Sequence, residues 1–499
     1  MSDTITELTV AQTHDRFERG TLTCEDLVEE YIDRIAAYDD AGPELGAIIT
    51  VNDGALERAR ELDATFAADG PVGPLHGVPV LVKDQVQTAD TVTTYGSEAF
   101  TEFVPETDAE IITRLRDAGA IVLAKTNMPD WGAGFVGYSS AAGQTKNPYS
   151  LDRDSGGSSA GTGAGLAANL GLVGIGLDTG GSVRVPAAYC NLYGLRVTTG
   201  LISRDGISTM IARQDTAGPM ARTLADMVRL LDTIAGYDPA DEATGTTVHS
   251  RNHTPYLDHL DTDGLVGRRI GVLRDAFGSP DNPAATPVTP VVEAAVDRMS
   301  AAGADIVDPV AIEDLDAHID GTSLYAYQAK HDITSYLEDL PGAPVDSGAE
   351  LFENDQFHDA LELFYKIAGG PDDPGDHPDY WERVANQASF RRAIERTHAE
   401  HDLDAIVFPD VQVVPPVYTD YYTGDVTREE FNTNTFIASQ SGCPALSMPA
   451  GFTDNGLPVG LELLGVPHSE ARLVELAAGY DDVTDARRPP TTAPPLSEP

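Results

Sequence analysis

A unit of helix, glycine and strand occurs twice in the chain and constrains the fold more than any other feature. In TDAEIITRLRDAGAIVLAKTN, Thr107 and Glu110 have capping-box spacing, Gly119 ends an amphipathic helix, and the apolar run AIVLA follows as a buried strand. In TPVVEAAVDRMSAAGADIVDP, Pro290 suits the first helical position and Gly303 ends the helix before ADIV. Strands that alternate with helices form sheets covered by helices on both faces, so the sequence predicts an α/β fold.

The rest of the chain continues this alternation without a linker that would divide it. Near the C-terminus, LDAIVFP, PALSMPAG and LPVGLELLG have the pattern of strands, and SEARLVELAAGY has that of a helix capped by Ser469. Residues 310–400 are more polar, and we expect helices and long loops there that lie over the sheet. The Pro-rich segment 483–499 predicts a disordered tail. We therefore expect one large domain over residues 1–482.

The charge of the chain excludes one class of partner. Asp and Glu total 80 against 32 Lys and Arg, which gives a formal net charge of −48. Nucleic-acid binding needs a basic surface, so no nucleic-acid partner is expected. Because the acidic residues are spread along the whole chain, they indicate a protein adapted to concentrated salt, from a halophile. An acidic face that binds a partner protein is the alternative.

The cysteines and the apolar segments indicate in which cellular compartment the protein is expected. Cys24, Cys190 and Cys443 lie far apart and form no disulfide framework, which fits a reducing compartment. The segment MSDTITELTV lacks the basic and apolar regions of a secretory signal. The uncharged run 155–177, one of the two longest in the chain, contains eight glycines and is a poor membrane span. The sequence therefore predicts a cytoplasmic protein that does not interact with a membrane.

Three residues could carry chemistry, and each also has a structural interpretation. Ser182 follows two glycines, either in a simple turn or as a nucleophile whose neighbouring N–H groups face an anion. Lys83 ends the apolar stretch GVPVLVK. In the structural interpretation its aliphatic stem is simply buried at the end of a strand. In the functional interpretation burial lowers the pKa of its amine, and the neutral amine acts as a base. Ser158 lies in DSGGSSAGTGAG, where a helix N-cap is the alternative. Zinc-type Cys/His spacing and phosphate-binding loops are absent, and GAGLAA matches a dinucleotide motif only loosely.

These residues lie in motifs that resemble the amidase signature family. The stretch SGGSSAGTGAGLAANLGLVGIGLDTGGSVRVPAAYCNLYGLRVTTG matches the signature, PLHGVPVLVKD resembles the lysine strand, and GCPALSMPAGFTDNGLPVGLELLG matches a further block. The resemblance covers roughly residues 25–240 and 400–480. Lys83 precedes Ser158 by 75 positions and Ser158 precedes Ser182 by 24, as the family's Lys-Ser-Ser triad requires. The resemblance implies a single α/β/α domain around a large, mixed and twisted sheet.

The resemblance also implies the catalytic roles. Ser182 is the nucleophile that forms an acyl-enzyme, Ser158 is the bridging serine on a cis peptide bond, and Lys83 is the base. Gly132 matches a position that lines the acyl site. No metal or other cofactor is implied.

The same resemblance implies roles for further residues around the nucleophile. The oxyanion hole maps to four successive backbone N–H groups, those of Thr179, Gly180, Gly181 and Ser182. Asp178 and Arg184 are expected to hold this turn by charge-assisted hydrogen bonds, with Ser159 beside them. Asp410 in FPDVQ stands where many members carry threonine, near the expected substrate region.

Three functions remain open from the sequence. The first is a stand-alone amidase that hydrolyses a linear carboxamide to a carboxylate plus ammonia or an amine, acting as a monomer or a homodimer on a small-molecule amide. The second is the glutaminase subunit of a tRNA-dependent amidotransferase, which the polar stretch 310–400 and the long tail disfavour. The third is a non-catalytic binding protein on the same fold, which the complete triad disfavours.

Overall fold

The computed structural model describes residues 5–250, 255–345, 347–354, 356–423 and 433–496. In this part of the chain, eleven strands form one sheet. In chain order the strands are β1 Ile48–Val51, β2 Pro79–Lys83, β3 Ile121–Thr126, β4 Val173–Asp178, β5 Tyr193–Arg196, β6 Thr216–Ala221, β7 Arg269–Leu273, β8 Asp305–Val310, β9 Ala405–Pro409, β10 Ala445–Phe452 and β11 Pro458–Leu464.

The sheet is mixed, with parallel pairs near its two ends and antiparallel pairs between them. Its order is β1-β3-β2-β4-β6-β5-β10-β11-β9-β7-β8. Strand β2 runs parallel to β3 and β4, and β7 runs parallel to β8 and β9. The other six pairs are antiparallel. This architecture confirms the predicted α/β domain with one large mixed sheet.

Sixteen α-helices lie in the described residues. In chain order they are α1 Val10–Glu18, α2 Cys24–Tyr38, α3 Ala55–Asp69, α4 Glu110–Asp117, α5 Ala160–Ala167, α6 Arg184–Tyr189, α7 Leu224–Ile234, α8 Thr289–Ala301, α9 Leu315–Thr322, α10 Tyr325–Glu338, α11 Gly348–Glu353, α12 Glu362–Ala368, α13 Tyr380–His401, α14 Tyr418–Thr423, α15 Phe436–Ser441 and α16 Glu470–Asp481. None of these helices has the length and apolar character that a membrane span needs.

The helix α4 starts at a different place from the one that its sequence predicts. Its N-cap is Ala109, and no side chain caps it, so the predicted capping box of Thr107 and Glu110 is wrong. The N–H of Ala109 donates to the carbonyl of Gln87 at 3.1 Å, and that of Glu110 to the carbonyl of Asp205 at 3.3 Å. Backbone carbonyls from other segments of the protein therefore accept from the N–H groups that a local side-chain cap would have satisfied.

The other helix ends follow the sequence more closely. Gly119 and Gly303 adopt φ of +85° and +103° just after their helices, as the predicted stops require, and Pro290 lies in the first turn of α8. Ser469 is the N-cap residue of α16, as predicted, but its side chain makes no capping hydrogen bond, so the predicted side-chain cap is wrong. Its backbone torsions, φ −97° and ψ +16°, lie outside the extended conformation that brings a cap side chain onto the N–H groups.

Residues of the polar region 310–400 build a second apolar cluster beside the sheet. Helices α10 and α12 contribute to it. The cluster is continuous with the aromatic residues Tyr95 and Trp131, whose rings stack at 4.9 Å, and Tyr336 meets Tyr95 edge-on at 5.9 Å. The region therefore packs on the domain next to the turn that contains Trp131.

The C-terminal segment is ordered against the domain where the structure describes it. Arg34 donates to the carbonyls of Ala493 and Pro494, each at 3.0 Å, and Tyr149 donates to the carbonyl of Arg488 at 2.6 Å. Ala493 is buried. The expectation of a disordered tail is therefore wrong for residues 483–496, because buried donors of the domain use the carbonyls of the tail as acceptors. Residues 497–499 lie outside the described part.

Candidate active site

Lys83 is the last residue of β2, and its amine meets a hydroxyl from another part of the chain. All five residues of β2 are buried, and Lys83 itself is only 1% exposed. Its Nζ donates to the Oγ of Ser158 at 2.7 Å. Two of the predicted site residues, 75 positions apart, are thus in direct contact.

The surroundings of Lys83 weaken its hold on a proton. Burial lowers its pKa from the ordinary 10.5 to about 7, since charge is disfavoured away from water. The carboxylates of Asp178 and Asp215 oppose this shift only in part. The amine therefore has a large neutral fraction near pH 7, which is the state that a general base requires.

Ser158 lies in a tight loop before helix α5, with little room around its backbone. The Gly157–Ser158 peptide bond is cis, as the resemblance implies. A Cβ on Gly157 would lie 2.5 Å from the carbonyl oxygen of Val136, so a side chain does not fit there. The N–H of Ser159 donates to the carbonyl of Ser182 at 3.2 Å, which joins this loop to that of the candidate nucleophile.

Ser159 has a structural contact of its own. Its hydroxyl accepts from the N–H of Leu177 at 3.2 Å and lies 3.3 Å from the Leu177 carbonyl. It thereby ties the start of α5 to the end of strand β4, beside the site.

Ser182 lies in the turn between β4 and α6 and is 5% exposed. Packing excludes side chains from the two preceding positions: a Cβ on Gly180 would lie 2.2 Å from the Tyr325 hydroxyl, and one on Gly181 would lie 1.9 Å from the Thr435 Oγ1. Gly181 also adopts φ +136°, a conformation that glycine tolerates best. Gly181 is therefore required both by its torsion and by the close approach of Thr435, and Gly180 by the close approach of Tyr325.

The N–H groups of this turn are available to a ligand. Among the described residues, no acceptor takes the N–H of Gly180, Gly181 or Ser182. Thr179 is held from the side, because its hydroxyl donates to Asp215 at 2.5 Å and its carbonyl accepts from Gln214 at 3.1 Å. Buried N–H groups without acceptors are rare in proteins, and a row of them suits an anionic oxygen.

Gly132 borders the same space. It ends the turn Asp130–Gly132 with φ +76°. A Cβ at this position would lie 3.4 Å from the Ser158 Oγ and 3.3 Å from the Gln85 Oε1. The structure thus brings Gly132 together with the Gly-rich loop of Ser158.

Asp178 and Arg184 hold the two ends of the turn that contains Ser182. The Nε and Nη2 of Arg184 donate to the two carboxylate oxygens of Asp178, each at 3.1 Å, and the Nη1 of Arg196 donates to Asp178 at 2.9 Å. Burial by itself would raise the pKa of Asp178, but the two arginines lower it to about 2. Asp178 is therefore ionised at neutral pH.

Several contacts of this turn were not predicted from the sequence. Arg184 also donates to Glu462 at 2.7 Å and to the carbonyl of Thr435 at 2.9 Å, and the Thr435 hydroxyl donates to the carbonyl of Gly180 at 2.7 Å. Glu462 lies 278 positions from Arg184, and Tyr325 and Thr435 are also distant in sequence. No local pattern marks these residues.

Asp410 belongs to the buried network around Arg184. It is completely buried, accepts from the Ser447 hydroxyl at 2.9 Å and is in contact with Glu462. Its carboxyl group also interacts with the charge of Arg184, two residues after Ser182. Its expected position near the substrate stays a prediction.

Metal ligands do not accompany these groups. In the described ranges, no cluster of three or more His, Cys, Asp or Glu side chains could hold a metal ion. The chemistry available in this part of the chain is that of a buried amine, two hydroxyls and a row of backbone N–H groups.

Comparison with known proteins finds chains of similar sequence and fold. The family model described as Amidase matches residues 26–474. The structure of native peptide amidase from Stenotrophomonas maltophilia is similar with a TM-score of 0.87 and 36% identity, covering 98% of this chain and 100% of that one. A probable amidase of Arabidopsis thaliana is 32% identical over 97% of this chain and 92% of its own length. A glutamyl-tRNA(Gln) amidotransferase subunit of Heliobacterium modesticaldum is 30% identical over 95% of this chain and 96% of its own length.

Proposed function

The chain belongs to the amidase family, and from this premise we propose that it is a stand-alone amidase that uses Ser182, Ser158 and Lys83. It hydrolyses a carboxamide to a carboxylate and ammonia or an amine through an acyl-enzyme. The observation that carries the proposal is the 2.7 Å hydrogen bond between the buried Lys83 amine and the Ser158 hydroxyl, one loop away from Ser182. The lowered pKa of Lys83, about 7, supports the proposal further, because a base must be neutral to accept a proton.

The first half of the reaction forms the acyl-enzyme. Ser158 passes its proton to the neutral amine of Lys83 and takes the proton of Ser182, whose Oγ attacks the amide carbon. When the tetrahedral intermediate collapses, the C–N bond breaks and the nitrogen leaves with the proton returned from Lys83 through Ser158. The pKa of Lys83, about 7, suits both directions of this transfer.

The second half repeats these steps with water. Water loses its proton to the same relay and attacks the ester carbon of the acyl-enzyme, and Ser182 leaves with its proton restored. The product is a carboxylic acid, which releases its proton to solvent and becomes a carboxylate, and the amine of Lys83 is neutral again. No cofactor takes part in these steps.

Backbone N–H groups stabilise the charge on the carbonyl oxygen. Gly180, Gly181 and Ser182 present N–H groups that have no acceptor among the described residues. One such donor is typically worth about 3–4 kcal/mol in the transition state. The contact of Thr435 with the turn supports this assignment, because its hydroxyl fixes the carbonyl side of the Gly180–Gly181 peptide.

The relatives suggest which amides to test first. Peptide amidase from Stenotrophomonas maltophilia is similar over both full lengths, so amides of peptides are the first candidate substrates. Hydrolysis of glutamine as one subunit of an amidotransferase is the second candidate function, favoured by the 30% identity to the Heliobacterium protein.

One assay separates these candidates. The purified chain is incubated alone, at high salt, with peptide amides, simple aliphatic and aryl amides, and free glutamine, and release of ammonia or amine is measured. We expect turnover of at least one peptide or simple amide without partner subunits, and none by Ser182→Ala. The stand-alone function would be contradicted if glutamine were the only substrate hydrolysed and if its hydrolysis required added partner subunits.

A further inference from the structure

Asp410 and Glu462 form a buried carboxyl pair beneath the turn that carries Ser182. Asp410 follows β9, and Glu462 lies on the neighbouring strand β11. Both side chains are completely buried and are in hydrogen-bonding contact with each other. Two residues before Glu462, a Cβ on Gly460 would lie 2.5 Å from the Asp410 Oδ2, so the glycine makes room for the second carboxyl group.

The charges of the directly joined groups balance if one proton is added, and the nearby Lys83 and Asp215, which interact with Asp178 and Arg196, have opposite charges when both are ionised. The network joins two guanidinium groups to three carboxyl groups, those of Arg184, Arg196, Asp178, Asp410 and Glu462. With every group ionised, the sum is −1. An uncompensated charge away from water is strongly disfavoured, and two adjacent carboxylates usually retain one proton between them.

The hydrogen bonds show the same deficit. Among the described residues, no donor reaches the buried Asp410 Oδ1 or the buried Glu462 Oε2. One proton between the two groups turns one oxygen into a donor for the other. A single proton shared by Asp410 and Glu462 thus supplies both the missing hydrogen-bond donor and the missing positive charge.

The partners of the two groups decide which one holds the proton. Glu462 accepts from the Nη1 of Arg184 at 2.7 Å, so its carboxylate form is stabilised directly. Asp410 accepts instead from the neutral hydroxyl of Ser447. Burial raises the pKa of Asp410 well above its ordinary value, and the neighbouring Glu462 raises it further, which agrees with this order.

We propose that Asp410 is a carboxylic acid that donates to Glu462, and that this pair is a positioning element for the turn of Ser182. Arg184 transmits the effect, because the same guanidinium binds Glu462, Asp178 at the start of the turn and the carbonyl of Thr435. Loss of the proton would place a third negative charge beside Arg184, in addition to those of Asp178 and Glu462, and weaken its geometry toward Asp178. The consequence for catalysis rests on the proposed amidase function, whereas the presence of the proton does not.

Infrared difference spectroscopy tests the proton directly. At about pH 9, far above the ordinary range of carboxyl groups, we expect a carbonyl-stretch band of a carboxylic acid in the wild type that is lost in Asp410→Asn. Glu462→Gln is a second variant, in which Arg184 is left to hold Asp410 ionised, so the band should disappear there as well. Asp154→Asn removes a buried carboxyl outside the network, whose pKa is about 6, and should leave the band in place.

Kinetics test the positioning role. Asp410→Ala leaves the Oε2 of Glu462 without a donor and should lower kcat about tenfold, the scale set by one unsatisfied buried group. Asp410→Asn can still donate, so it should recover most of this loss. It should also lack the fall in kcat that we expect in the wild type at the alkaline pH where Asp410 loses its proton. The proposal is wrong if the wild type has no acid band, or if folded Asp410→Asn is as impaired as Asp410→Ala. The infrared result holds even for a chain without amidase activity, so the two proposals fail separately.

Discussion

The Nζ of Lys83 lies 2.7 Å from the Oγ of Ser158, in a buried space that Gly132 also borders. This contact joins the end of a strand to a Gly-rich loop, and the N–H of Ser159 joins that loop to the turn of Ser182. An amine next to a hydroxyl is a proton relay only if the amine is neutral, which burial of Lys83 promotes. Each member of the relay, and the acidic surface around it, can therefore be tested separately.

We expect the acyl group on Ser182. Enzyme treated with a sulfonyl fluoride should carry one adduct on the peptide that contains Ser182, because its hydroxyl lies at the turn whose N–H groups have no acceptor in the described part of the chain. Peptide mapping by mass spectrometry makes the measurement. Ser159→Ala is the matched control, since the Ser159 hydroxyl bonds the backbone of Leu177, and it should leave the labelling on Ser182. An adduct on Ser158, with Ser182→Ala still active, would reverse the assignment.

Removal of the Lys83 amine should abolish the relay without unfolding the protein. Lys83→Met is expected to lower kcat/KM by about 10²–10⁴-fold, the usual contribution of a general base. The pKa of Lys83, about 7, is lowered by burial, so the amine gains a proton as the pH falls below 7, and kcat/KM of the wild type should fall about tenfold per pH unit there.

The control for this prediction is a lysine outside the site. Lys146 donates to the carbonyl of Pro43 and is partly exposed, so Lys146→Met should keep both the rate and the acid limb. A folded Lys83→Met enzyme with a near-normal rate would remove lysine from the mechanism.

Gly181→Ala should impair catalysis more than stability. Its Cβ would lie 1.9 Å from the Thr435 Oγ1, so the turn must move, and a shift of about 1 Å at a reacting group can cost about 10²-fold in rate. Gly20→Ala is the control: Gly20 has φ +65° and no atom within 4 Å of its new Cβ, so only about 1 kcal/mol of stability should be lost. Circular dichroism melting and kcat are compared for both variants. Equal kcat in the wild type and in Gly181→Ala would show that the turn does not shape the oxyanion site.

Dilution of salt should unfold the protein. The formal charge of −48 produces repulsion across the surface of one domain, and the Debye length increases from about 3 Å at 1 M salt to about 10 Å at 0.1 M. Unfolding separates the charges, so low salt favours the unfolded chain. Circular dichroism and the rate should therefore fall together as KCl is diluted from about 1 M to about 0.1 M. Constant helical signal and rate after dialysis into dilute buffer would show that the acidic composition is no adaptation to salt.

Local patterns determined the parts of this protein that depend on neighbouring residues. The alternation of helices and strands predicted the α/β fold, and Gly119 and Gly303 ended helices where the sequence placed them, because the left-handed backbone is available to glycine at little cost. The resemblance to the amidase signature family implied Lys83, Ser158 and Ser182 as a set, and the structure places the first two in contact.

Only the tertiary structure decided the surroundings of these residues. The N-terminus of α4 is capped by backbone carbonyls of Gln87 and Asp205, and the Pro-rich tail is held by Arg34, so local signals failed at both places. Glu462 reaches Arg184 across 278 positions, which no periodicity encodes. The charge state of a side chain depends on its burial and on partners that only folding brings together. The sequence therefore identified Lys83 and Asp410 as residues of interest, whereas their protonation depends on the packed structure.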